Sequence, residues 1–352
     1  MLAPSEYEDG VAAGYLDTAT YGLPPRRTVA AVVGAAEGWR RRESWLRWEE
    51  DGEACRALFA RLVGAEARDV ALVSAVSVAT GLVAASLPTS PGDNIVLCER
   101  DFTSTIFPWV GLEGRGVEIR ARPLEELAGA VDERTALLAV SLVQSSDGAV
   151  ADLEALKATG VRLFVDATQA AGGVPVSVAR LDYLAAHAYK WLLCPRGLAF
   201  LWVKPERLDE IEPWTSGWKA AEHAYDDYYG LPRHLARDAR RLDVSIAWIP
   251  AAGTRASLEL LHELGVERVA EHNLALARTF SERLGQPEPS SPIVQVKVKG
   301  AEAAVERLRA AGVACSERAG SIRFCFHLYN DESDVELALS ALTPAMVFNS
   351  ES

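Results

Sequence analysis

After Gly64 the chain alternates between short apolar runs and stretches with helical spacing. Asp69–Val73, Asn94–Cys98, Val117–Arg120, Thr135–Val143, Val161–Val165 and Leu181–Ala186 read as strands. Ser77–Leu87 (closed by Pro88), Thr105–Glu113, a short piece at Leu124–Ala130 and Asp152–Thr159 read as the helices between them. That alternation predicts an α/β domain around a mostly parallel sheet. Leu198–Val203 returns so soon after the run before it that it is expected to lie antiparallel to its neighbours.

Upstream, the first ten residues are polar and acidic and read as a mobile start. Gly14–Pro25 reads as an ordered extended arm. Arg27–Leu62 reads as two helices broken near Asp51-Gly52. It carries Trp39, Trp45 and Trp48, which packing or a subunit contact would explain. Lys204–Asp243 has no clean period and predicts loops and short helices. Ala251–Leu264 and Val266–Leu284 read as helices. Ile293–Val298, Ala301–Ala311, Gly320–Phe326 and Asp331–Leu342 then alternate strand and helix, as a smaller α/β domain would. The expected division is an arm over 1–25, a large domain over 26–245 and a small domain over 246–352. A helix would bridge the two parts near Ser245–Gly253, and the residues from about Ala345 are expected to fray.

Composition narrows the classes. The 352 residues are 49% hydrophobic and 24% charged, with a net charge of −13. That balance suits a globular chain with a sizeable core and argues against broad attraction to nucleic acid or an anionic membrane. No apolar run reaches about eighteen residues, and the N-terminus lacks a basic-plus-apolar signal, so a cytoplasmic protein is expected. The five cysteines are odd in number, widely spaced and in no metal pattern, as reduced and mostly buried thiols would be.

The chemistry gathers where strands end. Asp166, Thr168 and Gln169 close one apolar run, and His187, Tyr189 and Lys190 close the next. Parallel sheets place their ligands at such carboxyl ends. An apolar pocket can depress a lysine pKa and make its amine a nucleophile, and a nearby carboxylate can hold a protonated ring nitrogen. Those two groups are what pyridoxal phosphate requires. Val76 and Ser77 lie between a strand and a helix, where backbone amides and a hydroxyl could bind phosphate, or where Ser77 could simply cap the helix. Phe102 follows another strand and could cover a flat cofactor or belong to the core. Arg323, in the SIRF segment, could take a substrate carboxylate as a bidentate pair or be a surface charge on an edge strand.

VDATQ, the Lys190-Trp191 step and PRGLAFLWV resemble the class V aminotransferase group of fold-type-I pyridoxal-phosphate enzymes, on its branch of isopenicillin N epimerase-like and cysteine desulfurase-like proteins. The resemblance runs from YLDTATYGLPP through VSAVSVATGLVAASL, ERDFTSTIFPW and SLVQSSDGAVADLEAL to GSIRFCFHLYNDESDVELAL. It implies a large domain with a mostly parallel mixed sheet and a smaller C-terminal α/β domain. It also implies pyridoxal 5′-phosphate as cofactor and a homodimer with shared active sites. Lys190 would form the Schiff base and move protons. Asp166 would pair with the pyridine nitrogen, Gln169 would lie near the ring hydroxyl, and Phe102 would stack on the ring. Val76, through its backbone, and Ser77 would form the phosphate turn, within reach of His187 and Tyr189. Arg323 would grip the substrate carboxylate. Trp218 resembles a segment that reaches a neighbouring subunit's cofactor.

Departures from the pattern matter as much. Phe102 stands where desulfurases carry a histidine, and SERAGSIRF leaves no room for their cysteine-bearing loop. Cys315 lies earlier, on an expected strand. Ser145 replaces a common asparagine near the ring oxygen, and Ile246 replaces a threonine that crosses the dimer to the phosphate. The expected function is a lyase that eliminates a β-substituent from a small amino acid, without the desulfurase cysteine. Aminotransferase ranks second and epimerase third. Epimerisation would need Tyr21 or His327 on the face opposite Lys190, and Tyr21 is also expected to help bind substrate. A non-catalytic scaffold is the rival of another class.

Overall fold

The computed structural model describes residues 1–7, 10–231 and 234–342. The expected frayed tail lies outside them, as do two residues of the expected mobile start.

Two helices, α1 (Arg26–Arg40) and α2 (Leu46–Val63), precede a seven-stranded sheet. In chain order its strands are β1 (Val70–Val73), β2 (Asn94–Cys98), β3 (Glu118–Arg122), β4 (Thr135–Ser141), β5 (Leu163–Asp166), β6 (Tyr183–His187) and β7 (Ala199–Val203). Their spatial order is β1-β7-β6-β5-β4-β2-β3. β7 runs antiparallel to both its neighbours, as expected, and the other pairings are parallel. The helices between strands are α3 (Val76–Ser86), α4 (Thr103–Val110) and α5 (Leu153–Ala158).

The central strands are buried along their length, so their sequences are continuous apolar runs rather than alternating ones. Successive residues serve opposite faces. Leu72, Val96, Leu138 and Val165 enter one core, with Phe59 of α2 stacked on Phe200 at 4.1 Å. Ala71, Ile95, Leu137 and Phe164 enter the other. β3, at the edge, carries the charged residues that discourage further pairing, with Arg120 bonded to Glu118 and Asp132.

Beyond the sheet come α6 (Trp248–Leu264) and α7 (Val266–Arg283). They lead to β8 (Ile293–Lys297), α8 (Ala301–Ala310), β9 (Ser316–Arg318), β10 (Ser321–Cys325) and α9 (Glu332–Ala341). The three strands form an antiparallel sheet in the order β8-β10-β9 over a third core that includes Phe280 and Phe324. α6, expected to bridge the two parts, packs on α1 and α2 and meets α7.

Four sequence expectations change. The break between the first two helices lies at 41–45; Gly52 sits inside α2, where a Cβ would collide with Ile246 at 2.3 Å. The tip of the Ile246 side chain fills the space beside that glycine, and no chain reversal requires it. The Leu124–Ala130 piece is two 3-10 turns. Among the first residues, Ala3 and Tyr7 are buried, and Tyr7 packs on Tyr329 at 5.1 Å, so this start is anchored rather than mobile. Arg323 is not on an edge: β10 is the middle strand of its sheet, and the strand expected at Cys315 begins one residue later, as β9.

The N-terminal arm stitches the two sheets together. Its Leu16 pairs with Ala314 and with Cys325, and the Gly22 amide donates to the Tyr189 carbonyl at 3.0 Å. A Cβ at Gly22 would stand 2.1 Å from the Lys190 carbonyl oxygen, so only glycine allows this approach.

Candidate active site

Every parallel strand but edge β3 delivers one piece of the site at its carboxyl end. β1 leads into Val76 and Ser77 at the start of α3. β2 leads to Phe102, at the N-cap of α4. β4 leads to Ser145, β5 ends on Asp166 before Gln169, and β6 ends on His187 before Lys190. These residues line a cavity of about 350 Å³. A second cavity of about 770 Å³ adjoins it, walled by the arm, α1 and Arg323. The two share Phe102, Ser145, Tyr189, Lys190 and Arg196.

Lys190 is buried, with Nζ 5.2 Å from the centre of the Phe102 ring. Burial pushes its ammonium down to about 8, against the opposing pull of Asp166, and Arg323 adds to the fall. About a tenth of the amine is therefore unprotonated at pH 7, against well under a thousandth for an unshifted lysine. Asp166 is fixed through both oxygens. The Thr168 amide donates to Oδ1 at 2.8 Å, and the Thr105 hydroxyl donates to Oδ2 at 2.9 Å. Thr168 also accepts the His187 amide at 3.0 Å, which ties the ends of β5 and β6 together. Gln169 donates to the Ala19 carbonyl at 3.0 Å and to Ser145 Oγ at 3.1 Å, and accepts from the Trp191 indole at 2.8 Å.

At the far end of the smaller cavity the Val76 amide donates to His187 Nε2 at 3.2 Å. Nε2 thus carries the lone pair, and Nδ1 is buried without a hydrogen bond. Burial pushes the His187 imidazolium down to about 4, so the ring is neutral at physiological pH. Its edge meets the Tyr189 ring at 4.9 Å, and burial raises the Tyr189 phenol above its ordinary value. Ser77 is exposed at the cavity wall, in the first turn of α3.

Arg323 is 1% exposed. Its guanidinium donates to the Ser145 carbonyl at 2.7 Å, to Thr20 Oγ1 at 2.8 Å and to Asp17 Oδ1 at 3.0 Å, while Nε has no partner. Tyr21 lies at the rim of the larger cavity, half exposed. His327 does not reach either cavity. It is fully buried, donates from Nε2 to the Trp191 carbonyl at 2.9 Å, and accepts the Leu328 amide on Nδ1. It therefore does not serve the face opposite Lys190, which leaves Tyr21 of the two residues that epimerisation could have used there. Trp218 lies in an aromatic cluster with Trp45, Tyr225 and Tyr228, away from both cavities of its own chain.

Sequence reasoning missed two residues. Thr105 looks like any first-turn helix hydroxyl, and only the fold brings it to Asp166. Arg196 sits in the Pro195-Arg196-Gly197 turn and lines both cavities, with its guanidinium carbon 5.1 Å from the Tyr189 ring centre. Its place could have been read from its position six residues after Lys190, on the turn that returns to β7.

The family model for class-V aminotransferases matches residues 46–338. The chain belongs to that family. It is 30% identical over 320 residues to the uncharacterized aminotransferase YcbU of Bacillus subtilis, covering 85% of each chain. It is 28% identical to isopenicillin N epimerase of Streptomyces clavuligerus, covering 93% of this chain and 94% of the other. Among solved structures, the cystine C–S lyase C-DES in complex with its product cysteine persulfide superposes with a TM-score of 0.86 at 22% identity, over 94% of this chain and 98% of that one. A cysteine desulfurase of Escherichia coli, CsdA, gives 0.82 at 21% identity, over 96% and 95%. The fold is that of the fold-type-I pyridoxal-phosphate enzymes, and the chain is a pyridoxal-phosphate-dependent enzyme of this family.

The residues fit that cofactor. The smaller cavity joins a buried amine of lowered pKa, a doubly held carboxylate, an aromatic ring at the wall and a helix N-terminus with a free hydroxyl. Its volume is within the range of small-molecule sites.

Proposed function

We propose that the enzyme is a β-eliminating C–S lyase acting on a small amino acid and lacking a sulfur-relaying cysteine. One observation carries the reading. β9 and β10 are joined by only two residues, Ala319 and Gly320, so no loop between them can deliver a thiol to the site. All five cysteines are buried. Cys194 lines the larger cavity, but burial pushes its thiol up to about 12, and Sγ is turned to the Leu192 carbonyl at 3.0 Å. Sulfur released at Cβ would leave as a free product rather than be passed to the protein.

Pyridoxal phosphate, when bound, supplies the electron sink that weakens the bonds at the amino-acid Cα. The chain's own residues supply the rest. Lys190 would hold the cofactor's aldehyde until the substrate amine takes its place; the freed lysine amine would then take the Cα proton and return it to the leaving sulfur. Asp166 pairs with the pyridine nitrogen, steadied by Thr105 and Thr168. Gln169 sits toward the ring hydroxyl and Phe102 covers the ring. Val76 and Ser77 take the phosphate, with His187 and Tyr189 beside them. Arg323, whose Nε is left without a partner, takes the α-carboxylate and so selects the bond that breaks. Tyr21 closes the rim over the substrate. The apolar side chains Val29 and Val33, exposed on α1, support a homodimer that shares its active sites.

Aminotransferase is the second reading. A lysine on one face serves both reactions, and the relative at 30% identity carries that name. Epimerisation is third, because Tyr21 alone would have to serve the opposite face. The purified enzyme, incubated with S-substituted cysteines and common amino acids, is expected to release pyruvate, ammonia and a thiol without added keto acid. Product formed only with a keto-acid acceptor would replace the lyase by the aminotransferase. Deuterium uptake at Cα with no net product would mean the epimerase. A protein that takes up no pyridoxal phosphate would leave the scaffold reading.

A further inference from the structure

A pyridoxal phosphate site must hold a phosphate ester, which carries close to two negative charges at neutral pH. Among the described residues three side chains of the smaller cavity have a basic nitrogen that could answer it: His187, Lys190 and Arg196. Lys190 is committed to the cofactor's aldehyde in the reading above. His187 spends its Nε2 lone pair on the Val76 amide and stays uncharged. Tyr189 contributes only a neutral hydroxyl. Ile246, where relatives that the sequence resembles place a threonine, has no polar atom to give. The helix amides of α3 supply at most a partial positive charge.

Arg196 is the cation left over. It has no ion pair among the described residues, although arginines elsewhere are bound to carboxylates: Arg56 to Asp243 at 2.6 Å, Arg120 to Asp132 at 2.8 Å and Arg207 to Asp182 at 3.0 Å. The one carboxylate lining its cavity, Asp166, is taken by Thr105 and Thr168. Its position is set by the backbone. Pro195 precedes it, and Gly197 follows at φ +119°, a value that an L side chain rarely adopts. The guanidinium lies over the Tyr189 ring, which also meets His187 at the α3 end of the cavity and lies 5.9 Å from Lys190 Nζ.

We propose that Arg196 is the charged partner of the cofactor's phosphate, closing the cup that Val76 and Ser77 begin. The proposal rests on the cofactor and not on the lyase reading, so it stands or falls whichever reaction the enzyme performs. It makes the α3 end of the cavity a phosphate-ester site with a fixed cation, a function the neutral His187 cannot provide.

The test uses the apoenzyme, titrated with pyridoxal phosphate and with pyridoxal, which lacks the phosphate. R196Q is expected to weaken pyridoxal phosphate about 10- to 100-fold, the size of a lost charged hydrogen bond, and to leave pyridoxal within about twofold. R196K should fall between R196Q and the wild type. Inorganic phosphate should compete with pyridoxal phosphate on the wild type and less on R196Q. Arg196 is exposed, so its replacement leaves no buried gap, and unchanged thermal melting of the apo forms checks this. An equal loss for both aldehydes, or no loss for either, overturns the proposal. So does a rise in amino-acid KM at unchanged cofactor affinity, which would assign Arg196 to the substrate.

Discussion

Lys190 sets the first prediction, because in the proposed reading its amine must be free to capture the cofactor. Its pKa is lowered to about 8, chiefly by burial. The rate of cofactor uptake by the apoenzyme should therefore rise with pH to a midpoint near 8. A midpoint close to 10.5 would mean that the burial does not act on the amine. Lys190→Ala should take up no borohydride-fixed cofactor, and mass spectrometry of the reduced wild type should place the adduct on Lys190. Thr105 belongs to the same scale. Its hydroxyl, 2.9 Å from Asp166 Oδ2, orients a carboxylate and touches no substrate. Thr105→Val should lower kcat about 5- to 50-fold with little change in amino-acid KM, the cost of one hydrogen bond to a charged group. A loss confined to KM would contradict the positioning role. Asp166 and Lys190 were legible in the sequence because each ends a strand-like run. Thr105 was not, since its partner lies 61 positions away and only the parallel β2–β4–β5 register brings the two together.

At the scale of elements, the site depends on the N-terminal arm as much as on the sheet. The arm's Asp17 accepts from Arg323 at 3.0 Å and from Ser316 of β9 at 2.7 Å, while Gln169 reaches back to the Ala19 carbonyl. Asp17→Asn removes the charge that orients Arg323. It should raise amino-acid KM roughly 10-fold, with cofactor affinity unchanged, because the carboxylate grip loses its alignment. Equal losses in both constants would mean that the arm itself had come away. Gly22→Ala provides that second case: its Cβ would stand 2.1 Å from the Lys190 carbonyl, so the arm must lift. It should lower the melting temperature and weaken cofactor and substrate together. The strands and most helices of this chain could be read from apolar runs, since central parallel strands are buried on both faces. The bounds of β9 and the anchored start could not. Three residues, of which Glu317 and Arg318 are charged, show no periodicity, and the burial of Ala3 and Tyr7 comes from a surface that the distant segment around Leu328 provides.

Across the whole molecule, the junction of the two sheets is sealed by a histidine that the sequence offered as chemistry and the fold uses as a strut. His327 donates to the Trp191 carbonyl, one residue past Lys190, and is packed against the Trp191 ring at 5.2 Å. Its carbonyl partner favours the imidazolium, but burial is the larger influence and pushes the pKa down to about 4. The folded value lies below the unfolded one, near 6.5. The native state therefore binds fewer protons than the unfolded chain between those limits. Stability from this group is complete above about pH 6.5 and is lost as the pH falls toward 4, by up to roughly 3 kcal/mol. His187, also lowered to about 4 by burial, adds a loss of the same sign over the same window. Chemical denaturation of the apoenzyme at a series of pH values should show the decline. His327→Gln, which keeps a donor for the Trp191 carbonyl but cannot take up a proton, should be less stable at pH 7 and should lose less between pH 6.5 and 4. An unchanged slope in that variant would place the acid sensitivity elsewhere. Because the strut carries the residue next to Lys190, the same acid range should release cofactor from the wild type more readily than from His327→Gln, measured as the fall in cofactor absorbance at a pH where both proteins remain folded.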